Sequence, residues 1–255
     1  MTRLAIVGGA GRMGQALAEG LAERGHAIAV LVDREQPDAL FGATHRVALE
    51  AIEPGTVGAV VDFSSPEGVL ASARWCATHR VPLVVGATGL GDRERHALEA
   101  TAREVGVVVA ANFALGAVLV ERFAALAAPY FDRVEVIELH HDRKADAPSG
   151  TALATARAIA AARSAAGRPA MRDPTTHETL AHARGAEGPE GVRIHAVRLP
   201  GLVAHEEVLF GSPGEGLTLR HDSYDRQSFV AGVALALSKV TASPGLVEGL
   251  GSLVD

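Results

Sequence analysis

Four apolar residues, Leu4-Ala5-Ile6-Val7, run straight into Gly8-Gly9-Ala10-Gly11-Arg12-Met13-Gly14, and an alanine- and leucine-rich stretch from Gln15 to Arg24 follows. This order reads as strand, tight turn, helix, and no other segment restricts the fold so strongly. The spacing Gly8-x-x-Gly11-x-x-Gly14 places its first glycine one residue earlier than the dinucleotide fingerprint G-x-G-x-x-G. The glycines keep their separate roles: one makes the sharp turn, one lets a pyrophosphate approach the backbone, and one lets helix pack closely on strand. The whole turn, Gly8, Gly9, Ala10, Gly11, Arg12, Met13 and Gly14, is therefore a candidate cofactor site. With 28 glycines in 255 residues, chance also produces such spacings, so the weight of this one comes from its surroundings.

Those surroundings repeat the plan. A second apolar strand, Ala27 to Val32, ends in Asp33-Arg34, and Asp33 lies nineteen residues after Gly14, where an acid hydrogen-bonds an adenosine ribose. Arg34 beside it offers a partner for a 2′-phosphate, so the pair suits NADH and NADPH together. Then come a strand (Gly58 to Asp62), a turn with a capping pattern (Phe63 to Glu67), a helix (Gly68 to Thr78), a buried strand (Pro82 to Val85), a polar-faced helix (Asp92 to Glu104) and another buried strand (Val107 to Ala110). Strands alternating with helices predict a Rossmann-like, doubly wound parallel sheet. Ligands of such sheets lie beyond the carboxyl ends of the strands. Phe63, then Gly86, Ala87 and Thr88, then Ala111, Asn112, Phe113 and Ala114 occupy those ends and are assigned to the nicotinamide side of the cofactor.

After Phe113 the pattern changes. A helix (about Ala117 to Ala128) precedes a strand (Val134 to Leu139), a polar loop and a long alanine-rich helix (Thr151 to about Ala166). Gly167 to Gly191 shows no period and reads as a surface loop with freedom to move. Three strand-like runs follow, Val192 to Leu199, Val203 to Phe210 and Leu217 to His221. With Val134 to Leu139 they predict a second, α+β domain with a mixed or antiparallel sheet. The last helix, Ser228 to Val240, is apolar on most sides and is expected to pack on the first domain. The predicted division is 1–113 with 226–255 for a dinucleotide-binding domain, and 114–225 for a substrate-binding and oligomerisation domain.

Composition removes several classes of function. The net charge is −6, from 24 basic and 30 acidic residues without a basic block, so no nucleic-acid partner is indicated. The longest apolar run, Val107 to Val120, is interrupted by Asn112 and Gly116 and is too short for a bilayer. No targeting segment is read at the N-terminus, where glycines stand in place of an apolar core. The single cysteine, Cys76, fits core packing in a reducing cytoplasm. No metal is predicted: His205-Glu206-Glu207 lacks a second histidine at position 209, and the adjacent His140 and His141 point to opposite sides of a strand end. Ser149 lies in Ala-Pro-Ser-Gly-Thr rather than in a nucleophile elbow.

The polar loop is the strongest candidate for chemistry. Between Glu138 and Ala152 it gathers two histidines, a lysine and a Ser-Gly-Thr helix start. A helix start with a serine cap and a glycine exposes N–H groups that hold carboxylates. A histidine delivers a proton near neutral pH, and a lysine meets developing charge. A carboxylate substrate is thus expected between Lys144, His141 and the N–H groups of Gly150 and Thr151. A solvated turn is the plain alternative.

Glu138-Leu139-His140-His141-Asp142-Arg143-Lys144-Ala145-Asp146-Ala147-Pro148-Ser149-Gly150-Thr151-Ala152 resembles the signature E-x-H-H-x-x-K-x-D-A-P-S-G-T-A of the dihydrodipicolinate reductase (4-hydroxy-tetrahydrodipicolinate reductase) family of bacterial lysine and diaminopimelate synthesis. The likeness extends over the chain. Gly8 to Gly14 is similar to the family's G-x-x-G-R-M-G turn, Val61 to Ser64 to its D-F-S/T strand end, Gly86 to Gly89 to G-T-T-G, and Ala111 to Ala114 to A-N-F-S/A. Arg198 to Phe210 and Arg220 to Arg226 match its later strands. Ala87 replaces a usual threonine, and Asp33 stands where many members have glutamate. The resemblance implies His140 as proton donor and acceptor, Lys144 as second acid, and His141, Ser149, Gly150 and Thr151 as holders of a cyclic dicarboxylate. It also implies water loss from the substrate and hydride transfer from NADH or NADPH, a last helix belonging to the nucleotide-binding domain, and a homotetramer. Two other readings stand beside it: a different two-domain NAD(P)-dependent oxidoreductase, and a catalytically idle nucleotide-binding regulator.

Overall fold

The structure, a computed structural model, describes residues 2–240 and 244–254. Its elements run β1 (Arg3–Val7), α1 (Arg12–Glu23), β2 (Ala27–Val32), β3 (Thr44–Arg46), β4 (Ala59–Asp62), α2 (Pro66–His79), β5 (Leu83–Val85), α3 (Asp92–Thr101), β6 (Gly106–Val109), α4 (Leu115–Ala127), β7 (Arg133–His140), α5 (Gly150–Ala165), β8 (Ala186–Glu187), β9 (Arg193–Arg198), β10 (Ala204–Ser212), β11 (Glu215–Ser223), α6 (Val230–Val240) and β12 (Gly245–Glu248). The chain divides into two compact units, Met1–Leu115 with Arg226–Asp255, and Gly116–Asp225.

The first unit holds a seven-stranded sheet of order β12-β6-β5-β4-β1-β2-β3, parallel at every pairing. This is the doubly wound sheet expected from the alternation of elements. Every residue of β4 and β5 is buried, as required of strands covered on both faces. Ser65 caps α2, its hydroxyl accepting from the Gly68 N–H at 3.2 Å with Pro66 in the first turn, so the helix begins two residues before the expected Gly68. The edge strands β3 and β12 went unpredicted because, unlike the equally short β4, β5 and β6, neither has a fully buried residue that would mark it as an apolar run. Helix α6 packs on α1, β5 and β6, where a side chain at Gly20 would strike Val230 and Gln227. Its first turn, Arg226–Phe229, is 3₁₀ rather than α-helical.

The second unit carries a five-stranded mixed sheet of order β11-β10-β7-β9-β8, with β7 and β9 parallel and the other pairs antiparallel. Val134, Val136 and Glu138 of β7 alternate inward, and Val136, Val208 and Phe210 join Ala152, Ala156 and Ile159 of α5 in one core. β10 and β11 run longer than expected, to Ser212 and from Glu215, because the Pro213-Gly214 turn lets them pair directly. The 167–191 segment lies at the surface and is mostly irregular, as expected, but side chains and a short strand tie it to the sheet. Arg184 pairs with Glu135 and with Asp173 at 3.4 Å, Arg193 meets Asp173 at 3.0 Å, and β8 adds to the sheet edge. These anchors lie far along the chain from one another, so local periodicity does not reveal them.

Candidate active site

In the first unit the Gly8–Gly14 turn is built from backbone. Gly8 has φ +81°, and both Gly8 and Gly9 donate N–H bonds to the Val32 carbonyl, at 2.9 and 3.1 Å. A Cβ on Gly14 would stand 2.1 Å from the Gly8 carbonyl oxygen, so this glycine permits the close approach of α1 to the turn. Helix α1 starts after Gly11 with no side-chain cap, which leaves its first N–H groups to a ligand. Asp33 Oδ2 accepts from the Ala10 N–H at 3.0 Å, tying the second strand end to the turn. Arg34 beside it is exposed. A cleft of about 720 Å³ runs along Gly8, Gly11, Asp33, Arg34, Phe63 and Ser64. It lies beside β1 and β4, where the strand order reverses, as expected of a dinucleotide site. An uncapped helix start, a cradle without room for a Cβ, and an acid beside a base fit a pyrophosphate and an adenosine ribose.

The other strand ends separate into surface and support. Thr88 and Ala111 line a second recess of about 400 Å³, beside Ala87 and against Leu246 of β12. The Phe63 ring lies over Gly86, where an added Cβ would stand 2.1 Å from it. Phe113 does not present its side chain to a ligand. It is fully buried, its ring 5.3 Å from Phe63 and its carbonyl pressed against Gly232. Ala114 is buried too, its N–H bonded to Asn112 Oδ1 at 2.9 Å. Phe113 and Ala114 therefore shape the turn with buried side chains, while Ala111 and Asn112 are its more open members.

In the second unit the loop after β7 is organised by Glu138, which has no exposed surface. Arg198 of β9 donates to both of its oxygens at 2.7 Å, His140 Nδ1 lies 2.5 Å from Oε2, and the Ser149 N–H donates to Oε1 at 3.1 Å. Burial alone would raise the proton affinity of Glu138, but the Arg198 and His140 hydrogen bonds outweigh it and hold the carboxyl below the usual range. His140 is shifted down, by burial first, with Lys144 and Arg198 adding to it and Glu138 opposing. With Nδ1 directed at Glu138, Nε2 is the ring atom left for a reactant.

The remaining members of the loop gather close by. Lys144 Nζ bonds both oxygens of Asp146, at 2.8 and 2.9 Å, and Arg198 donates to the Asp146 carbonyl at 2.7 Å. His141 is half-buried, its Nδ1 without a hydrogen bond among the described residues. Ser149 is buried and caps α5, its hydroxyl accepting from the Ala152 N–H at 3.1 Å, while Gly150 is exposed at the helix start beside the half-buried Thr151. Ser149 thus serves as cap and as anchor of Glu138. Glu138, Arg198 and Asp146 were not singled out from the sequence. The usable signal was Glu138 in phase with Val134 and Val136, a charge at an inward position that needs a partner.

Comparison with known proteins follows the same two parts. The model described as dihydrodipicolinate reductase, N-terminus, matches residues 2–113, and that described as dihydrodipicolinate reductase, C-terminus, matches residues 116–252. Curated relatives named 4-hydroxy-tetrahydrodipicolinate reductase include one from Beutenbergia cavernae, 46% identical over 99% of this chain and 98% of its own. Another, from Corynebacterium aurimucosum, is 42% identical over 97% and 96%. A solved dipicolinate-bound dihydrodipicolinate reductase from Paenisporosarcina sp. TG-14 superposes with TM-score 0.88 at 38% identity, covering all of both chains. An aspartate dehydrogenase from Thermotoga maritima, 14% identical with TM-score 0.51 over 93% of this chain and 96% of its own, shares the fold alone. Matched along nearly its whole length, the chain belongs to the dihydrodipicolinate reductase family.

Proposed function

We propose that this chain is a 4-hydroxy-tetrahydrodipicolinate reductase of lysine and diaminopimelate biosynthesis, an oxidoreductase that uses NADH or NADPH. Within that activity we assign the residues. The Gly8–Gly14 turn and the α1 start hold the pyrophosphate, Asp33 and Arg34 meet the adenosine ribose with or without its 2′-phosphate, and Phe63, Thr88 and Ala111 border the nicotinamide side. When bound, NADH or NADPH would supply a hydride for a ring carbon of the substrate. His140 delivers the proton to the neighbouring carbon from Nε2, while Glu138 holds its other nitrogen. Lys144 is the second acid and helps expel water. The N–H groups at the start of α5, with Thr151 and His141, grip the carboxylates.

The observation that carries this reading is the Glu138 assembly. One buried carboxylate fixes a histidine, an arginine and the first turn of an anion-binding helix in a single constellation. A nucleotide-binding regulator has no use for it, and a dehydrogenase of another class has no use for His140, Lys144 and the helix start together. A coupled assay with enzymatically generated substrate, following NADH and NADPH oxidation separately, tests it. Turnover with either cofactor is expected, and no oxidation where a known family member works would overturn the assignment. We further read the protein as a cytoplasmic homotetramer assembled through the second sheet. In support, the sheet face opposite α5 leaves Ile137, Leu139 and Leu209 half-exposed, and the one cysteine is buried and free. Among the described residues no helix is long and apolar enough to cross a membrane. Light scattering in solution gives the assembly directly: a tetramer's mass is expected, and a monomer's contradicts it.

A further inference from the structure

A row of titratable side chains crosses the second sheet. Glu138 on β7 pairs in register with Glu206 on β10, and Glu206 pairs with His221 on β11. Glu138 and Glu206 are 0% and 5% exposed and lie on the α5 side of the sheet, in phase with Val136 and Val208. Residues directly opposite on neighbouring strands place their Cβ atoms about 5 Å apart, so two carboxyl groups share one buried patch.

Their surroundings are unequal. Glu138 has a guanidinium, an imidazole and a backbone N–H. Among the described residues Glu206 has no ion pair, and its Oε1 is buried without a hydrogen bond. Thr155 of α5 favours its charged form, while Glu121 of α4 and Glu138 oppose it. His221, on its other side, has its proton affinity lowered by burial. Two neighbouring acids do not ionise independently: the one with the cation keeps the charge and the other keeps the proton. Burial first, with the two glutamates adding to it, pushes Glu206 up to about 7.

We propose that Glu206 is a positioning residue that tunes the proton affinity of His140 through Glu138, acting by its own charge. This rests on the reading of His140 as proton donor. While Glu206 is protonated, Glu138 is the carboxylate that favours the charged imidazole, against Lys144 and Arg198. Once Glu206 ionises, a second negative charge stands beside Glu138 and strengthens the hold of His140 on its proton. The two titrations are coupled, so the acid form of His140 persists to higher pH than it would beside a residue 206 that cannot ionise.

The test compares the wild-type enzyme with Glu206→Gln and Glu206→Asp. His140 is titrated by NMR of its ring, and kcat is measured against pH with enzymatically generated substrate. Gln removes the charge and keeps the shape, so the His140 titration and the alkaline limb of kcat both move down by roughly one pH unit, the order expected of a unit charge in partly buried surroundings. Asp restores the limb, and KM stays within about twofold, the independence expected of a group outside the carboxylate grip. A His140 titration unchanged in the Gln variant overturns the proposal. A second measurement needs no variant: the wild-type Glu206 carboxyl, followed by carbon NMR, titrates near neutral pH, and ionisation in the ordinary carboxylate range overturns the proposal. Absence of wild-type turnover would sink the reductase reading instead, and the two NMR titrations would still decide the role of Glu206.

Discussion

In the first unit the anion-facing turn is made of backbone. Gly8 bends it, Gly14 lets α1 approach to within a Cβ's distance of the Gly8 carbonyl, and α1 begins without a side-chain cap. In the second unit the helix start of α5 is capped by Ser149 and bound to a buried carboxylate, which also holds His140 and Arg198. Both are assigned to an anion, but one is specified by missing side chains and the other by charged side chains satisfied together. The first suits a constant ligand met by shape. The second suits a reaction, because a network of charges fixes a protonation state as well as a position.

That contrast makes predictions of different size. Glu138→Gln is expected to do the most damage, since it leaves Arg198 without its partner and His140 without its anchor: about 3 kcal/mol of stability by urea unfolding, with a loss of turnover besides. An unfolding midpoint equal to wild type would show that the network is dispensable. Gly14→Ala is expected to cost about 1–3 kcal/mol through forced overlap with the Gly8 carbonyl and to weaken NADH binding, while the substrate KM holds. A variant that binds NADH normally would break the claim that this cradle is set by close approach. Thr151→Ala should have the smallest effect, raising KM for the dicarboxylate by about tenfold, the order of one lost hydrogen bond to a charged group. A selective loss of NADH affinity would show that the α5 start had been assigned to the wrong ligand.

The same contrast explains what was legible in the sequence alone. Glycine spacing is local, so the turn, the strand after it and Asp33 could be read directly, and apolar runs broken by turns announced the parallel sheet. The short edges β3 and β12 lack the buried apolar run that marks β4, β5 and β6, and the anchoring of 167–191 depends on Arg184 meeting Glu135, 49 residues away along the chain. At the loop after β7 the motif named His140, Lys144 and the helix start. Glu138, which holds them, was passed over because its importance lies in the sixty-residue separation from Arg198. Phe113 and Ala114 follow a strand end, but position along a strand does not say which side chains of the following turn fold inward.

The most direct measurement is the pH dependence of kcat in His140→Gln, with NADH affinity measured alongside. The imidazole's proton affinity lies below the ordinary histidine value, chiefly through burial, so wild-type kcat falls as pH rises through it and the acid form is lost. The account predicts that the Gln variant loses about 100-fold or more in kcat, shows no such limb, and binds NADH as the wild type does. Unchanged turnover, or an alkaline limb that survives the substitution, would contradict it.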